Sequence, residues 1–201
     1  MSLVFLFLSL MGGQPLESTP EVAFPLVAMA QRMIPSHDEQ VMRVHTAMTY
    51  IAEDPKGRYS LDFLMRKWGQ DSFLMADAIV KGARAHDVDP LILVSVAWIE
   101  SKFRVVAKGD HLGGAPRSCG PTQVMIVFKG RPTCDQLMDP YFAYEWTAGH
   151  IKNWPRRRDG SIDMTKYNGP KEAAQIRLYV KYLSKRLSKE FQYRSSFQVA
   201  D

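Results

Sequence analysis

The feature that most constrains the fold is a segment in mid-chain that is apolar on almost every side. Residues 91–103 read LILVSVAWIESKF and follow Asp89-Pro90, which is a typical helix N-cap with proline at the first helical position. A helix that is hydrophobic all round lies at the centre of a domain. A buried strand is the alternative, but the length and the Asp-Pro start favour a helix. We therefore predict a central helix with Glu100 and Ser101 in its last turn.

Helix start signals recur on both sides of this segment. Ser36 and Glu39 have the spacing of a capping box and precede an apolar stripe, so a helix is predicted there. Further helix starts are predicted at Ser60, at Asp71, at Asp139-Pro140 and after Asn168-Gly169-Pro170. Glycine and proline recur between residues 109 and 121, which indicates a loop. Because alternating apolar and polar segments are few, we predict a predominantly α-helical (all-α) fold.

Composition and charge indicate a folded domain with a polyanionic partner. The 201 residues are 46% hydrophobic and 23% charged, which excludes wholesale disorder. Residues 1–100 carry 8 basic and 12 acidic residues, a net charge of −4, whereas residues 101–201 carry 18 and 9, a net charge of +9. A basic half suits nucleic acid, cell-wall polymer or lipid headgroups.

The N-terminal part of the sequence suggests three divisions of the chain. Residues 3–11 (LVFLFLSLM) resemble the apolar region of a secretory signal, although no lysine or arginine precedes them. An uncleaved membrane anchor and a helix packed on the core are the alternatives. Four prolines by residue 35 then predict an irregular arm. We therefore predict an apolar segment and arm over residues 1–35, a helical extension over 36–70 and the main domain over 71–201.

Cysteine and histidine usage bears on the compartment and on metal chemistry. Cys119 and Cys134 are the two cysteines of the chain, and a bridge between them would add ~3 kcal/mol of stability in the chain-entropy picture. Such a bridge would fit an oxidising compartment, and two free buried thiols are the alternative. The five histidines are scattered without a ligand motif. We therefore expect no metal site and no cofactor.

Glu100 is the strongest catalytic candidate because its helix face is apolar. The residues one and two turns before it on this face are Ala97, Val96 and Leu93. A carboxylate in such surroundings is desolvated, which raises its pKa, and the negative end of the helix dipole acts in the same direction. We therefore predict a carboxyl group that stays protonated near neutral pH, as a general acid requires. The alternative is a structural glutamate paired with a basic side chain at the helix end.

The residues around and after Glu100 resemble a known family. The segment DAIVKGARAHDVDPLILVSVAWIESKF, which begins at Asp77, is similar to the soluble lytic transglycosylases, whose corresponding helix enters with Asp-Pro and ends in Glu-Ser. Gln123 in CGPTQVM resembles their Gly-Leu-Met-Gln motif, and Tyr167-Asn168-Gly169 resembles their Tyr-Asn element. These motifs cover about residues 72–190 in the family's order. The resemblance implies a lysozyme-like α-helical domain that cleaves peptidoglycan glycan strands.

The resemblance also implies a mechanism with a single glutamate. Glu100 would protonate the glycosidic oxygen between N-acetylmuramic acid and N-acetylglucosamine. It would then deprotonate the C6 hydroxyl of the same N-acetylmuramic acid, and this hydroxyl would attack C1 to leave a 1,6-anhydro end. An intramolecular nucleophile has a high effective concentration, so no positioned water is required.

Substrate contacts are likewise implied by the resemblance. Ser101 and Gln123 would hydrogen-bond near the scissile sugar, Met125 would line the cleft, and Tyr167 and Asn168 would complete its floor. The structural alternatives are a helix-end cap for Ser101, a core position for Met125 and a helix-entry turn for Tyr167-Asn168-Gly169. Three tryptophans could stack on sugar faces, although a core position is expected for the first of them: Trp98, Trp146 and Trp154.

Other functions remain open from the sequence. A goose-lysozyme-like hydrolase of the same bond would use Asp110 as a second carboxylate and give reducing ends. Pro121-Thr122, where the family has Leu-Met, motivates a catalytically inactive peptidoglycan-binding module. The basic half motivates a nucleic-acid binder, but no nucleic-acid motif accompanies it, so nucleic acid is not the expected partner.

Peptidoglycan is therefore the expected partner, and it sets the expected location. We predict a periplasmic or exported protein, with residues 3–11 as a membrane anchor if they are retained. A wall-penetrating enzyme carried in a phage virion is the alternative location.

Overall fold

A computed structural model of the chain describes residues 35–53, 60–158, 162–166 and 169–197. The chain divides into two compact units, residues 1–35 and Ser36–Asp201, and all elements described below belong to the second unit. The predicted apolar segment 3–11 lies outside the described residues. No helix of the described part is long and apolar enough to cross a membrane.

The described residues form a predominantly α-helical fold, as predicted. The helices are α1 (His37–Ala52), α2 (Leu61–Trp68), α3 (Ser72–His86), α4 (Pro90–Ser101), α5 (Cys134–Leu137), α6 (Pro140–Ile151) and α7 (Pro170–Phe197), with a short 3-10 helix at Met164–Lys166. Helix α3 packs against α6 and α1, and α4 packs against α7 and α1. Helix α4 thus contacts α1, α3, α6 and α7.

Side-chain caps fix where these helices begin. Ser36 accepts a hydrogen bond from the backbone N–H of Glu39, and Ser60 accepts one from Phe63. Asp71, Asp89 and Asp139 cap α3, α4 and α6 in the same way. Because each cap satisfies backbone donors that the first helical turn leaves unpaired, these short side chains fix the starts locally. The helix starts predicted at these five positions are confirmed.

Helix α4 is buried on nearly all sides, which confirms the prediction from its composition. The side chains of residues 93–98 are all buried, and Leu93, Val94 and Val96 have no exposed surface. Burial of each such aliphatic side chain contributes about 2 kcal/mol to the free energy of folding. Trp98 belongs to this core. The expectation of a core position for Trp98 is therefore confirmed.

Close approach between α3 and α6 depends on a glycine. A Cβ on Gly82 would lie 2.8 Å from the backbone nitrogen of Glu145. Any side chain here would therefore push the two helices apart. The sequence pattern offered no sign of this contact, because the two residues are far apart along the chain.

Asp77 on α3 joins three helices through its carboxylate. It accepts hydrogen bonds from His37 Nε2 at 2.6 Å, from the Tyr141 hydroxyl at 2.7 Å and from Lys81 Nζ at 2.8 Å. Partial burial by itself would raise the pKa of Asp77, but the hydrogen bonds from Lys81, Tyr141 and His37 outweigh it and lower the pKa to about 2. The carboxylate therefore stays ionised and holds α1 and α6 to α3.

A small antiparallel sheet follows α4, in the segment for which the sequence predicted only a loop. Its strands are β1 (Lys108–Gly109), β2 (Ser118–Cys119) and β3 (Val124–Met125), in the order β1-β2-β3. The loop prediction was wrong in this respect, because strands of two residues are too short to show alternation. We call residues 120–123, which connect β2 to β3, the turn end of the sheet. Residues 110–117 and 126–131 form its open end.

Candidate active site

Glu100 occupies the last turn of α4, where the helix is forced to stop. Lys102 and Phe103 both have positive φ, 58° and 69°, and the Phe103 N–H donates to the carbonyl of Ala97. The Phe103 side chain has no exposed surface and packs near the Trp98 ring. A left-handed helix end with a buried aromatic anchor turns the chain away here. As a result, Glu100 is half-buried at the boundary between core and solvent.

Lys102 is the basic side chain next to Glu100. Its ammonium group donates to the carbonyl of Trp98 at 2.8 Å and lies 4.6 Å from the centre of the Trp98 ring. Desolvation lowers the pKa of Lys102, and the negative charge of Glu100 opposes that shift. The two side chains are therefore electrostatically coupled.

Ser101 joins the candidate catalytic helix to the turn end of the sheet. Its hydroxyl lies 2.7 Å from the carbonyl of Pro121 and 3.3 Å from the carbonyl of Ala97. One hydroxyl thus bridges the end of α4 and the CGPTQVM segment, which are 20 residues apart in sequence. The structure therefore brings together the first two motifs of the family resemblance. The bond from the Ser101 hydroxyl to the Ala97 carbonyl lies at the end of its own helix, which is the structural alternative that the sequence left open for Ser101.

Gln123 holds the turn end in shape. It has a φ of 48°, and its amide nitrogen lies 2.9 Å from the carbonyl of Gly120 and 3.2 Å from that of Ala107. Its amide oxygen accepts from the Ser118 hydroxyl at 3.0 Å. Both ends of the amide therefore bind neighbouring chain. The predicted contact between Gln123 and a sugar stays a prediction, and it would have to add to these bonds.

Further links fasten the turn end to the helices. Cys119 and Cys134 form a disulfide between β2 and α5. Of the two alternatives left open by the sequence, a disulfide or two free thiols, the structure has the disulfide. Gly120 has a φ of 81°, and a Cβ there would lie 2.3 Å from the carbonyl oxygen of Leu137. The buried hydroxyls of Thr122 and Thr147 lie 2.8 Å apart and connect the turn to α6. The turn end therefore packs against α5 and is bonded to α6.

Asp110, the candidate second carboxylate, lies at the start of the open end. It has a φ of 49° and is exposed. The hydroxyl of fully buried Ser118 lies 3.0 Å from the Asp110 carboxylate and 3.0 Å from the Gln123 amide oxygen. A hydroxyl has one proton to donate, so the two acceptors share it. Sequence reasoning missed Ser118, because a lone serine carries no pattern.

Met125 lies on β3 and lines a cleft of about 160 Å³ between the sheet and α6. It is half-buried, so it takes part in both the cleft and the packing. The other lining side chains include Thr122, Gln123, Phe128, Arg131, Trp146, His150 and Trp154. Two of the three tryptophans named from the sequence thus meet at this cleft. Glu100 is not among its lining residues.

The aromatic side chains of this cleft are already stacked on each other. The rings of Trp146 and His150 lie 5.4 Å apart and nearly parallel, and Trp154 meets His150 edge-on. The guanidinium of Arg131 lies 5.0 Å from the centre of the Trp146 ring. Burial, followed by the positive charge of Arg131, lowers the pKa of His150. At physiological pH His150 is therefore a neutral ring that contacts both Trp146 and Trp154.

A larger cleft of about 440 Å³ lies between α3 and α6 and shares Trp146 and His150 with the first. Its lining residues are His86, Phe142, Glu145, Trp146, Gly149, His150 and Asn153. Gly149 leaves room for the His86 ring, because a Cβ there would lie 3.1 Å from it. Of the candidate residues named from the sequence, Trp146 alone is among the residues that line this cleft.

Two of the site residues predicted from the sequence, Tyr167 and Asn168, lie outside the described residues, so their predicted role stays a prediction. Among the described residues, no group of three or more His, Cys, Asp or Glu side chains could hold a metal ion. The structure thus joins Ser101 to the turn end, with Glu100 directly before Ser101 on α4 and Met125 on the strand that follows the turn.

Comparisons with known proteins identify no family for this chain. A scan against protein-family models, a search of curated proteins and a search of solved structures returned no match for this chain. Function must therefore be argued from the site.

Proposed function

We propose that this chain is a peptidoglycan lytic transglycosylase with a lysozyme-like domain. The observation that carries the proposal is the 2.7 Å contact between the Ser101 hydroxyl and the Pro121 carbonyl. It joins the helix end that carries Glu100 to the turn that carries Gln123. In the family that the sequence resembles, the corresponding two motifs form one catalytic cleft.

The chemistry assigned to Glu100 fits its position at the edge of the core. As an acid, its carboxyl group would give its proton to the glycosidic oxygen, so that the bond from C1 to that oxygen breaks and the N-acetylglucosamine part leaves as an alcohol. As a carboxylate, it would take the proton of the C6 hydroxyl while that oxygen bonds to C1. The proton that Glu100 gives up in the first step is replaced by the one that it takes from the C6 hydroxyl in the second, so the proton balance closes after one turnover.

The decisive experiment compares variants on purified peptidoglycan. Wild type should release soluble fragments that are lighter by one water molecule than hydrolysis products, because the nucleophile belongs to the substrate. Glu100→Gln should lower the release rate by at least a hundredfold, on the order of what a general acid contributes, with an unchanged helical circular dichroism spectrum. Glu53→Gln, which alters an exposed carboxylate at the end of α1, is the matched control and should keep full activity. Activity retained in Glu100→Gln would contradict the proposal.

A hydrolase that uses Asp110 is the second candidate function. The observation that favours it is the contact of Asp110 with Ser118, which also contacts Gln123. A hydrolase would give reducing ends, and Asp110→Asn would then abolish their formation. A transglycosylase would keep its activity in Asp110→Asn.

A binding module without activity is a third outcome of the same experiment. In that case wild type would co-sediment with insoluble peptidoglycan and release nothing under any pH or salt condition. Such a result would contradict both catalytic proposals.

A further inference from the structure

The open end of the small sheet brings two exposed loops side by side. The first loop is a hairpin tip closed by two backbone hydrogen bonds between Leu112 and Ala115. The second loop leaves β3 beside the first, because the Ile126 N–H donates to the Arg117 carbonyl at 2.8 Å. Residues 110–117 and 126–131 therefore form one surface at the end of the sheet opposite to the turn end.

This surface exposes three large apolar side chains. Leu112 is 69% exposed, Phe128 is 56% exposed and Val127 is 47% exposed. A Cβ on Gly113 or Gly114 would meet nothing within 4 Å, so open space surrounds the hairpin tip. Phe128 also lines the cleft at Trp146. Exposed apolar side chains on two adjacent loops suit an interaction surface.

Cations accompany the apolar side chains on the same loops. The two loops carry Arg117, Lys129 and Arg131, β1 adds Lys108, and Asp110 is the one carboxylate of residues 108–131. The guanidinium of Arg131 is the one that lies over the Trp146 ring. Asp110 is in contact with the buried Ser118 hydroxyl at the base of the loops. The open end therefore has a positive field around an apolar tip.

The apolar tip lies at the end of the sheet opposite to its links with the helices. The disulfide and the Ser101 and Thr147 contacts fasten the sheet at its turn end. Leu112 extends from the other end, where it is 69% exposed.

We propose that the open end of the sheet docks onto the surface of an anionic lipid bilayer. The cations would lie at the headgroups while Leu112 and Val127 enter the boundary with the acyl chains. Binding of this kind grows with the apolar area inserted and with attraction to anionic lipid. A hydrated polyanion such as nucleic acid or a charged wall polymer would use the cations alone, since aliphatic side chains gain little from it. This inference does not depend on the proposed transglycosylase activity.

The test is co-sedimentation of the full chain with vesicles of two compositions. The protein should bind vesicles of equimolar phosphatidylcholine and phosphatidylglycerol and should not bind vesicles of phosphatidylcholine alone. The double variant Leu112→Ser, Val127→Ser should lower the partition coefficient about tenfold, because two aliphatic side chains no longer insert. Lys129→Gln should lower it about fivefold, through the loss of one charge at the surface.

Matched controls come from helix α7. Leu178 is also 69% exposed, so Leu178→Ser removes an equally exposed leucine far from the open end in sequence. Lys181→Gln removes an exposed lysine of the same helix. Both controls should bind anionic vesicles as the wild type does. A Leu112→Trp variant should in addition show a blue-shifted tryptophan emission when anionic vesicles are added.

Three results would overturn the proposal. The first is the absence of any binding to anionic vesicles by the wild type. The second is equal binding by the wild type and the double variant. The third is binding to soluble DNA or to peptidoglycan sacculi that is as tight as vesicle binding, falls in Lys129→Gln and is unchanged in the double variant, which would assign the surface to a polyanion.

Discussion

The two ends of the small sheet have opposite relations to the rest of the molecule. The turn end contacts α4 through Ser101, α5 through the disulfide and α6 through Thr147. The open end exposes its loops and carries Leu112 at 69% exposure. A sheet of six residues thus presents one fixed end to the candidate catalytic helix and one exposed end to solvent. The turn end is fastened to three helices, and the open end carries the docking surface that we propose.

The largest difference between the ends is expected for glycine substitutions. Gly120→Ala places a Cβ 2.3 Å from the Leu137 carbonyl oxygen at a φ of 81°, so we expect a loss of about 3 kcal/mol or more in the free energy of unfolding. Gly113→Ala, at a φ of 61° in open space, should cost only about 1 kcal/mol. Urea unfolding of both variants measures this difference. Equal losses would show that the ends do not differ in packing.

Reduction of the disulfide is expected to weaken the turn end specifically. The Cys119–Cys134 bridge spans 15 residues of sequence, and its loss should lower stability by about 3 kcal/mol. The double variant Cys119→Ser, Cys134→Ser can be compared with wild type by urea unfolding without reductant. Amide hydrogen exchange should rise for residues 118–125 and stay unchanged for residues 112–115. Unchanged stability, or faster exchange at the hairpin tip alone, would contradict the contrast between the ends.

The buried hydroxyl pair is expected to give a moderate effect with a clear internal check. Thr147→Val deprives the Thr122 hydroxyl of a partner at 2.8 Å and should cost about 1–2 kcal/mol. The double variant Thr122→Val, Thr147→Val removes both hydroxyls with little change in shape, so it should be more stable than the sum of the two single variants implies. Strict additivity in thermal unfolding would mean that the pair does not couple the turn to α6.

The smallest effect is expected in the helical frame, away from both ends of the sheet. The pKa of Asp77 is lowered from 3.8 to about 2 in the folded protein. Its contribution is therefore fully present above about pH 4 and is lost as the pH falls to about 2. Asp77→Asn should cost about 1 kcal/mol at pH 7, and this difference should disappear over the same pH range. A constant difference across the range would rule out the carboxylate as the cause.

Sequence patterns predicted the frame because its determinants are local. Ser36, Ser60, Asp71, Asp89 and Asp139 each act on the first turn of the helix that they precede. The apolar composition of α4 likewise requires burial whatever its neighbours are. Helix α5 was not predicted, although Thr133 and Gln136 form a capping box that signals its start.

The candidate site could be predicted only in part because its geometry is not local. Glu100 and Gln123 were identifiable from motifs, but the Ser101 contact with Pro121 depends on a turn that two-residue strands position. No sequence pattern predicts the positive φ of Gln123 or the hydrogen bonds that the Ser118 hydroxyl shares between two acceptors. The two clefts at Trp146 combine residues from several elements, so no single motif predicts either of them.

The central claim is that Glu100 acts as acid and then base on a substrate that supplies its own nucleophile. Digestion of peptidoglycan in water enriched in heavy oxygen, followed by mass spectrometry of the soluble fragments, tests it most directly. We expect wild type to release 1,6-anhydro fragments without heavy oxygen, and Glu100→Gln to release none. Incorporation of one heavy oxygen at each new end, or undiminished release by Glu100→Gln, would contradict the claim.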